Sequence, residues 1–365
     1  MDDTAVVRAT GSGAARRVTI ADVAARAGVS SGAVSFALNG RPGVAEATRE
    51  RILAVADDLG WTPNVAARSL SRSTSFTVGL VLARATATVG ADPFFPAFVA
   101  GVNAVLAPVG RSLLFTVVPD TAAELATYRR LAGEARVDGV FLTDLRVDDP
   151  RPALLTSLGL PAVAVGRPEP VTPLIGSVAV DDVPGVRETV DELVTLGHRR
   201  IAHVTGPAEY LHVRHRATAW ADSLQAAGLS ADLLVHTDFS AGQGARAAED
   251  LLGLPARNRP TAITFANDVM AFAAVAVATR RGLRVPDDLS VTGFDDTDLA
   301  QHVEPPLASV QTDVEGWGRA CARALLAAAD GGAPEHLELA AARMVARSSV
   351  GPAPQPTTRR KAPPR

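Results

Sequence analysis

The spacing of hydrophobic positions changes near residue 76 and divides the chain into two parts. Between Val18 and Gly60, apolar residues recur every three or four positions in three short segments, which is the spacing of amphipathic helices. Beyond Phe76, short β-branched runs alternate with helical stretches of about 12 to 16 residues, a pattern that indicates βαβ units and parallel sheets covered on both faces. We therefore expect a small all-α domain followed by a larger α/β body.

The helical part contains signals that place its turns. The expected helices cover residues 20–27, 31–38 and 46–59. Gly28 suits the left-handed position that ends the first helix, and Ser30 can cap the second. Two helices joined by a glycine-containing turn of three or four residues form a helix-turn-helix, whose second helix fits the major groove of DNA. Other three-helix domains share this turn, so the pattern alone favours DNA binding without establishing it.

The second part contains seven apolar runs that we expect to be strands. They cover residues 78–82, 113–118, 139–142, 162–165, 201–204, 262–265 and 289–294. A body of about 270 residues is too long for one doubly wound sheet, so we expect two such lobes facing a cleft. The proline-rich stretch 168–173 is the expected crossing point between the lobes.

The charge of the chain is distributed unevenly. The net charge is −3 over 365 residues, but residues 1–76 carry +2 and residues 351–365 carry +4, which leaves −9 for the body. This distribution indicates a nucleic-acid-binding module attached to a body with another task, although a chance fluctuation would give the same numbers. Residues 1–17 are small and polar and are expected to form a flexible leader, and the proline-rich basic residues 351–365 a disordered tail.

Several classes of protein are disfavoured by the sequence. The single cysteine, Cys321, fits a reducing cytoplasm and excludes zinc modules built from several cysteines. The first 18 residues contain no apolar run of the kind found in secretory signals, and no stretch is long enough to span a membrane. We therefore expect a cytoplasmic protein without membrane contact.

Three short motifs match patterns of catalytic, cofactor-binding or metal-binding sites, but each lacks a feature that such a site requires. The G-x-S-x-G pattern at 28–32 follows a helix, whereas a hydrolase nucleophile follows a strand. The glycines at 242 and 244 lack the third glycine of a dinucleotide loop, and His212 with His215 lacks a third metal ligand. We expect no catalytic residue, no cofactor and no metal.

A set of motifs in the helical part resembles one family. In chain order they are VTIADVA at 18–24, AGVS at 27–30, AVS at 33–35, LN at 38–39, TRERI at 48–52, LGWTPN at 59–64 and ARSL at 67–70. The set closely resembles the lac-repressor (LacI/GalR) family of bacterial regulators, and the resemblance continues to about residue 349. It implies a helix-turn-helix domain over 18–62, a hinge over 63–75, and a periplasmic-binding-protein-like core of two lobes over 76–350. The implied function is that of a repressor that binds a pseudopalindromic operator in double-stranded DNA as a homodimer.

The resemblance also assigns residues to DNA contact. Leu70 matches the apolar wedge that kinks the duplex from the minor groove, and the alternative is an ordinary linker leucine. An isolated helix over 65–71 is unstable in water, so the hinge is expected to fold on DNA. Ser31, Gly32 and Phe36 fall at base-reading positions, where Gly32 and Phe36 offer no side-chain hydrogen bond. The other expected DNA contacts are Asn64, Ala67 and Arg68 in the hinge, and Thr19, Ser30, Ser35 and Asn39 at phosphates, each of these four alternatively a cap or turn residue.

Three stretches of the body match the family's ligand-contacting segments. The expected effector contacts are aromatic or imidazole rings (Phe94, Phe95, Tyr210, His212, Phe239) and polar groups (Arg216, Asn267, Asp268, Asp295). The alternatives are core packing for the two adjacent phenylalanines and a helix cap for Asp268. An arginine with amide and carboxyl groups suits a hydroxyl-rich ligand, so a sugar is favoured over a purine, a nucleoside or another small metabolite.

The sequence also disfavours two other classes of function. A solute-binding protein without a DNA role is disfavoured by the N-terminal module. A sugar-processing enzyme is disfavoured because no paired acid and base motif is present. The sequence therefore predicts a DNA-binding regulator whose affinity for its operator is changed by a small molecule.

Overall fold

The computed structural model describes residues 18–38, 40–61, 74–173 and 175–354. It divides into two compact units, Met1–Thr74 and Ser75–Arg365. Asn39 and the four expected hinge contacts, Asn64, Ala67, Arg68 and Leu70, lie outside the described residues, as do the leader and the last eleven residues.

The N-terminal unit is formed by three helices around a small apolar core. Helix α1 spans Ile20–Ala27, α2 spans Ser31–Leu38 and α3 spans Glu46–Asp58. Their facing residues are small or β-branched, and the buried ones are Val23, Ala24, Ala27, Val34, Ala37, Ile52 and Ala56. Gly28 ends α1 in the left-handed conformation, with φ of 66°. The predicted helix-turn-helix is confirmed, and α3 ends one residue before the predicted bound.

The larger unit has two six-stranded sheets. The first, in lobe 1, has the order β11-β5-β4-β3-β1-β2, and the second, in lobe 2, has the order β12-β10-β9-β8-β6-β7. The paired strands are parallel except for β10 and β12. The strands are β1 Thr77–Ala83, β2 Ser112–Val118, β3 Val140–Leu142, β4 Ala162–Val165, β5 Gly176–Ala179, β6 Ile201–Thr205, β7 Leu234–His236, β8 Ala262–Phe265, β9 Ser290–Asp295, β10 Ala308–Gln311, β11 His336–Glu338 and β12 Arg343–Val345. The prediction of two doubly wound lobes is confirmed.

The helices of this unit pack against the two sheets. They are α4 Thr86–Ala91, α5 Phe94–Leu106, α6 Thr121–Gly133, α7 Arg151–Ser157, α8 Val183–Thr195, α9 Leu211–Ala226, α10 Ala241–Gly253, α11 Asp268–Arg280 and α12 Val314–Ala329, with short 3₁₀ turns at Ala107–Val109 and Asp298–Gln301. Within the described ranges, no helix combines the length and the apolar character that crossing a membrane requires.

The chain crosses between the lobes at three places, none of which is the predicted one. The proline-rich stretch 168–173 connects β4 and β5, which pair directly in the sheet of lobe 1. The crossings lie between Ala179 and α8, between β10 and α12, and between β11 and β12. The prediction was wrong because proline interrupts helices and strands alike, and so does not distinguish a loop within a lobe from a connection between lobes.

Helices α5 and α12 approach closely because glycines face each other's backbone. A Cβ atom on Gly101 would overlap the carbonyl oxygen of Glu315, and one on Gly318 would overlap the carbonyl oxygen of Phe98. The obstructing atoms belong to the backbone, so a side-chain rotation cannot relieve the overlap. This contact fixes α12 on lobe 1 although α12 follows a strand of lobe 2.

Gly101→Ala is expected to lower the free energy of unfolding by about 2 kcal/mol or more, because the added methyl group forces α5 and α12 apart. Urea denaturation followed by circular dichroism measures the effect. Gly133→Ala is the matched control, since a Cβ there meets nothing within 4 Å; its effect should be neutral or stabilising by up to about 1 kcal/mol. Equal stability of the two variants would contradict the close packing.

Candidate functional site

The two lobes enclose a cavity of about 460 Å³, a size suited to a small organic ligand. Its walls are formed where strands end: Arg84 follows β1, Asp144 follows β3, Asn267 follows β8 and Asp295 ends β9. In sheets of this kind, ligands bind at the carboxyl ends of the strands, where side chains of several elements converge. The cavity is therefore the candidate ligand site.

Six of the nine predicted effector residues line this cavity, and three do not. Those that line it are Phe94, His212, Arg216, Phe239, Asn267 and Asp295. Phe95 is buried in the core of lobe 1. Tyr210 is buried behind His212, with the ring centroids 5.7 Å apart and nearly parallel. Asp268 is fully buried beneath the cavity wall.

Asn267 and Asp268 differ in role from the prediction, because Asn267 both lines the cavity and caps a helix, whereas Asp268 does neither. Asn267 caps α11 by accepting a hydrogen bond from the backbone N–H of Met270 at 2.8 Å, so the alternative of Asp268 as the cap is wrong. Asp268 instead accepts hydrogen bonds from Thr297 and from the Ser309 hydroxyl, at 2.6 to 2.8 Å. Burial still raises the pKa of Asp268 above its usual value. Its carboxyl group therefore links the start of α11 to Thr297 in the loop after β9 and to Ser309 on β10.

Arg84 is the central charge of the site and was not found from the sequence. Its guanidinium donates two hydrogen bonds to Asp144 at 2.5 Å and one to Asp92 at 2.8 Å. The same group lies 5.1 Å from the ring centre of Phe239 and 5.5 Å from that of Tyr210. Arg84, Asp92 and Asp144 belong to lobe 1, whereas both rings belong to lobe 2, so this cation links the lobes.

Arg216 is held rigidly at the cavity wall. Its Nε donates to Asp182 at 2.7 Å, and its guanidinium lies 3.5 Å from the centre of the Phe294 ring. Nη1 also donates a long hydrogen bond to the carbonyl oxygen of Ala266, at 3.4 Å. Because these contacts fix the plane of the guanidinium, its remaining N–H groups are oriented before any ligand arrives.

Asp295 occupies an unusual position in both backbone and charge. It has a φ of 104°, a conformation that favours Gly, Asn and Asp. Burial raises the pKa of its carboxyl group well above the usual value, and the negative charges of Asp92 and Asp268 add to this effect while Arg216 opposes it. A carboxyl group that takes up a proton readily can both donate to and accept from a hydroxyl group.

Acidic side chains outnumber basic ones in the cavity wall. The acidic residues are Asp92, Asp144, Glu169, Asp181, Asp182, Asp222 and Asp295, and the basic ones are Arg84, Arg167, Arg187 and Arg216. Arg84 and Arg216, which lie deepest, are already paired with carboxylates. An anionic ligand would be repelled here, whereas a neutral ligand rich in hydroxyl groups would find many acceptors. No three His, Cys, Asp or Glu side chains in the described ranges are grouped to hold a metal ion.

The N-terminal unit presents its own candidate surface. Ser31 and Gly32 are exposed at the start of α2, and Phe36 is 41% exposed one turn later. Thr19 caps α1 and exchanges hydrogen bonds with Asp22, and the Ser30 hydroxyl accepts from the N–H of Ala33 at 3.2 Å. The cap alternative is therefore confirmed for Thr19 and Ser30, which leaves their phosphate contacts as proposals. Ser35 is partly exposed on α2.

Asp295→Asn is expected to raise the melting temperature at pH 7, because it removes a carboxylate that the folded cavity disfavours while keeping a residue that tolerates positive φ. The folded state binds this proton more tightly than the unfolded chain. The wild-type protein therefore gains stability relative to the variant as the pH falls from the raised pKa toward the usual value of 3.8. Melting curves between pH 7.5 and 5, at about half-unit intervals, should show a difference that shrinks with falling pH; a constant difference would contradict the raised pKa.

Comparison with known proteins agrees with both units. The family model of "Bacterial regulatory proteins, lacI family" matches residues 19–64, and that of "Periplasmic binding protein-like domain" matches residues 190–350. Two solved structures resemble the fold over most of the chain. One is the complex of the transcriptional regulator CelR with cellobiose, with a TM-score of 0.68 and 34% identity over 91% of this chain and 100% of that one. The other is the lac repressor dimer bound to operator and the anti-inducer ONPF, with a TM-score of 0.79 and 28% identity over 92% of this chain and 100% of that one.

A curated relative decides the family. The HTH-type transcriptional regulator CelR of Thermobifida fusca is 37% identical over 332 residues, which cover 89% of this chain and 95% of that protein. Together with the helix-turn-helix and the two-lobed core, this match shows that the chain is a transcriptional regulator that belongs to the lacI family of bacterial regulatory proteins.

Proposed function

We propose that this protein represses transcription as a homodimer on a pseudopalindromic operator, and that a neutral sugar bound in the cavity changes its affinity for that operator. The observation that carries the proposal is the cavity itself, which is lined by Arg216 of α9 together with Asn267 and Asp295 at the carboxyl ends of β8 and β9. A relative has been solved with cellobiose and another with operator DNA as a dimer. Both are consistent with the same division of tasks between the two units.

The polarity of the cavity supports a sugar more than the alternatives. A sugar phosphate or a nucleotide would place negative charge against Asp92, Asp182 and Asp295. A purine or nucleoside offers fewer hydroxyl groups to this excess of carboxylate acceptors. We therefore propose an uncharged sugar, of which cellobiose is the first to test.

The DNA contacts follow from the N-terminal unit. Ser31, Gly32 and Phe36 are proposed to face the major groove, where the exposed ring of Phe36 can contact thymine methyl groups. Ser35 and Asn39, with Thr19 and Ser30, are proposed to contact phosphates. The proposed hinge contacts are Asn64, Ala67, Arg68 and Leu70. The proposed domain bounds are 18–62 for the helix-turn-helix domain, 63–75 for the hinge and 76–350 for the core.

The core is proposed to supply the dimer contact. Strands β2 and β7 occupy corresponding edges of the two sheets, and each exposes a large apolar side chain. Phe115 on β2 is 42% exposed and Leu234 on β7 is 38% exposed. Exposed apolar side chains on an edge strand favour association with another chain. A two-fold axis through such a contact would match the symmetry of the operator.

The proposal is tested by fluorescence anisotropy with operator DNA selected from a random palindromic library. The wild-type protein should bind the selected site about 10³-fold or more tightly than unrelated DNA. Cellobiose, maltose, lactose, glucose, glucose 6-phosphate, hypoxanthine and adenosine are then added in turn. A neutral sugar should change the operator affinity by about five-fold or more, as allosteric effectors commonly do.

Asp295→Ala provides the matched arm of this experiment. It should bind the operator with unchanged affinity and lose the response to the sugar, because Asp295 lines the cavity and belongs to a different unit from the DNA-binding helices. If hypoxanthine or adenosine acts and no sugar does, the sugar proposal is wrong. If no selected DNA exceeds non-specific binding, the operator proposal is wrong as well.

Leu70→Ala should weaken binding to the selected operator by about ten-fold or more while changing non-specific binding by less than about two-fold, because only specific DNA is kinked by the wedge. Leu70→Met keeps an apolar side chain of similar volume and should retain most of the affinity. The same anisotropy assay with both DNAs measures these effects. Equal losses on specific and non-specific DNA would remove the wedge assignment.

A further inference from the structure

Four phenylalanine or tryptophan rings among the described residues line the cavity, and three of them are engaged with other groups of the protein. The face of Phe294 is covered by the guanidinium of Arg216 at 3.5 Å. Phe239 has Arg84 at 5.1 Å from its ring centre and lies nearly parallel to the His212 ring at 5.9 Å. Phe94 is stacked on Phe98 with ring centres 5.6 Å apart. Each of these contacts engages a face of the ring, and Phe239 and Phe294 are in addition only 7% and 3% exposed.

The fourth ring, Trp317, is held in place without being covered in this way. It lies in the first turn of α12 and is partly exposed at the cavity. The indole Nε1 donates a hydrogen bond of 2.7 Å to the carbonyl oxygen of Val178 on β5. Among the described residues, the indole makes a T-shaped contact with the Phe94 ring, with an interplanar angle of 83° and ring centres 5.8 Å apart. The polar atom of the indole is thus satisfied and its orientation is fixed.

We propose that Trp317 is the stacking platform of the effector site and selects a pyranose ring. The proposal rests on the sugar function proposed above. One face of a pyranose presents C–H groups, which pack on the electron-rich face of an indole, while the hydroxyl groups point outward around the rim. The carboxylates that surround the cavity are suited to those outward hydroxyl groups.

A fixed indole ring would distinguish a cyclic sugar from an open-chain polyol, which the polar residues alone would not do. Arg216, Asn267 and Asp295 recognise hydroxyl groups but do not distinguish a ring from an open chain. A flat indole whose plane is set by Val178 demands a flat, apolar partner surface. Trp317 is therefore a specificity-determining residue, and it contributes to binding rather than to the response of the DNA-binding unit.

The experiment combines isothermal titration with tryptophan emission on the full-length protein, using cellobiose first and then maltose, lactose and glucose. The variants are Trp317→Leu and Trp317→Phe, with Trp61→Phe as the control. The chain has three tryptophans. Trp61 belongs to the N-terminal unit and Trp220 is 1% exposed in the core, whereas Trp317 lines the cavity, so Trp317 is the tryptophan that a bound sugar can contact. Circular dichroism and operator binding verify that each variant is folded.

Trp317→Leu should raise the Kd of the binding sugar by about ten-fold or more, whereas Trp317→Phe should stay within about three-fold because it keeps a flat ring. The wild-type protein and Trp61→Phe should show an emission change with the same midpoint as the heat of binding. That change should be absent from Trp317→Phe although this variant still binds. If Trp317→Leu fails to fold, the comparison between Trp317→Phe and the wild-type emission still decides the question.

Different results would contradict the role of Trp317 and the sugar function. If a sugar binds and alters operator affinity but Trp317→Leu binds it as the wild type does, the platform is wrong and the sugar function stands. The same conclusion follows if the emission change persists in Trp317→Phe. If none of the sugars releases heat or changes the operator affinity of the wild-type protein, both the sugar function and the platform are wrong.

Discussion

The burial of one cation between the lobes is the constraint on which the site depends. The Arg84 side chain is only 8% exposed, and a guanidinium cannot lose its charge at this depth, so the surrounding groups must satisfy it. Asp144 and Asp92 do so from lobe 1, and aromatic rings do so from lobe 2. Separating the lobes would keep the carboxylates and the Phe95 ring of lobe 1 and remove the Phe239 and Tyr210 rings of lobe 2. The observed arrangement of the lobes is thus favoured by a contact that requires no ligand.

A network of buried ion pairs around Arg151 holds Asp144, the main partner of Arg84, in position. Asp144 has a positive φ of 50°, and its carbonyl oxygen accepts a hydrogen bond of 2.8 Å from Arg151. Arg151 is itself buried and paired with Glu124 at 2.7 Å and Asp149 at 2.6 Å. The loop after β3 is therefore fixed by ion pairs that reach from the protein interior to the cavity. A ligand that competes for Asp92 or Asp144 would change the partners of Arg84, and in this way could favour one arrangement of the lobes over another.

The parts of the fold that were predicted correctly are those governed by neighbouring residues. The bounds of α1 and α2 follow from a capping threonine, a left-handed glycine and the helical spacing of apolar residues, all within 20 positions. Strands β5, β7, β10, β11 and β12 were not predicted. Each is only three or four residues long, and β7 and β11 are largely exposed, so none forms a clear apolar run. The sequence did not indicate a role for Arg84 at the site, because its partners Asp144 and Phe239 lie far from it along the chain. Trp317 was missed for a different reason: in a helix of apolar periodicity, a tryptophan is indistinguishable from core.

The path of the chain between the lobes has a consequence for biosynthesis. The N-terminal unit has its described core complete by Ala56, so it can fold while the rest is still being translated. Neither lobe has this advantage. The core of lobe 1 requires Cys321, Ala322 and Leu325 from α12, and its sheet is completed only at β11, while the sheet of lobe 2 is completed by β12. Both lobes are therefore completed only after α12, β11 and β12 have been translated, and the nascent core exposes apolar surface until then.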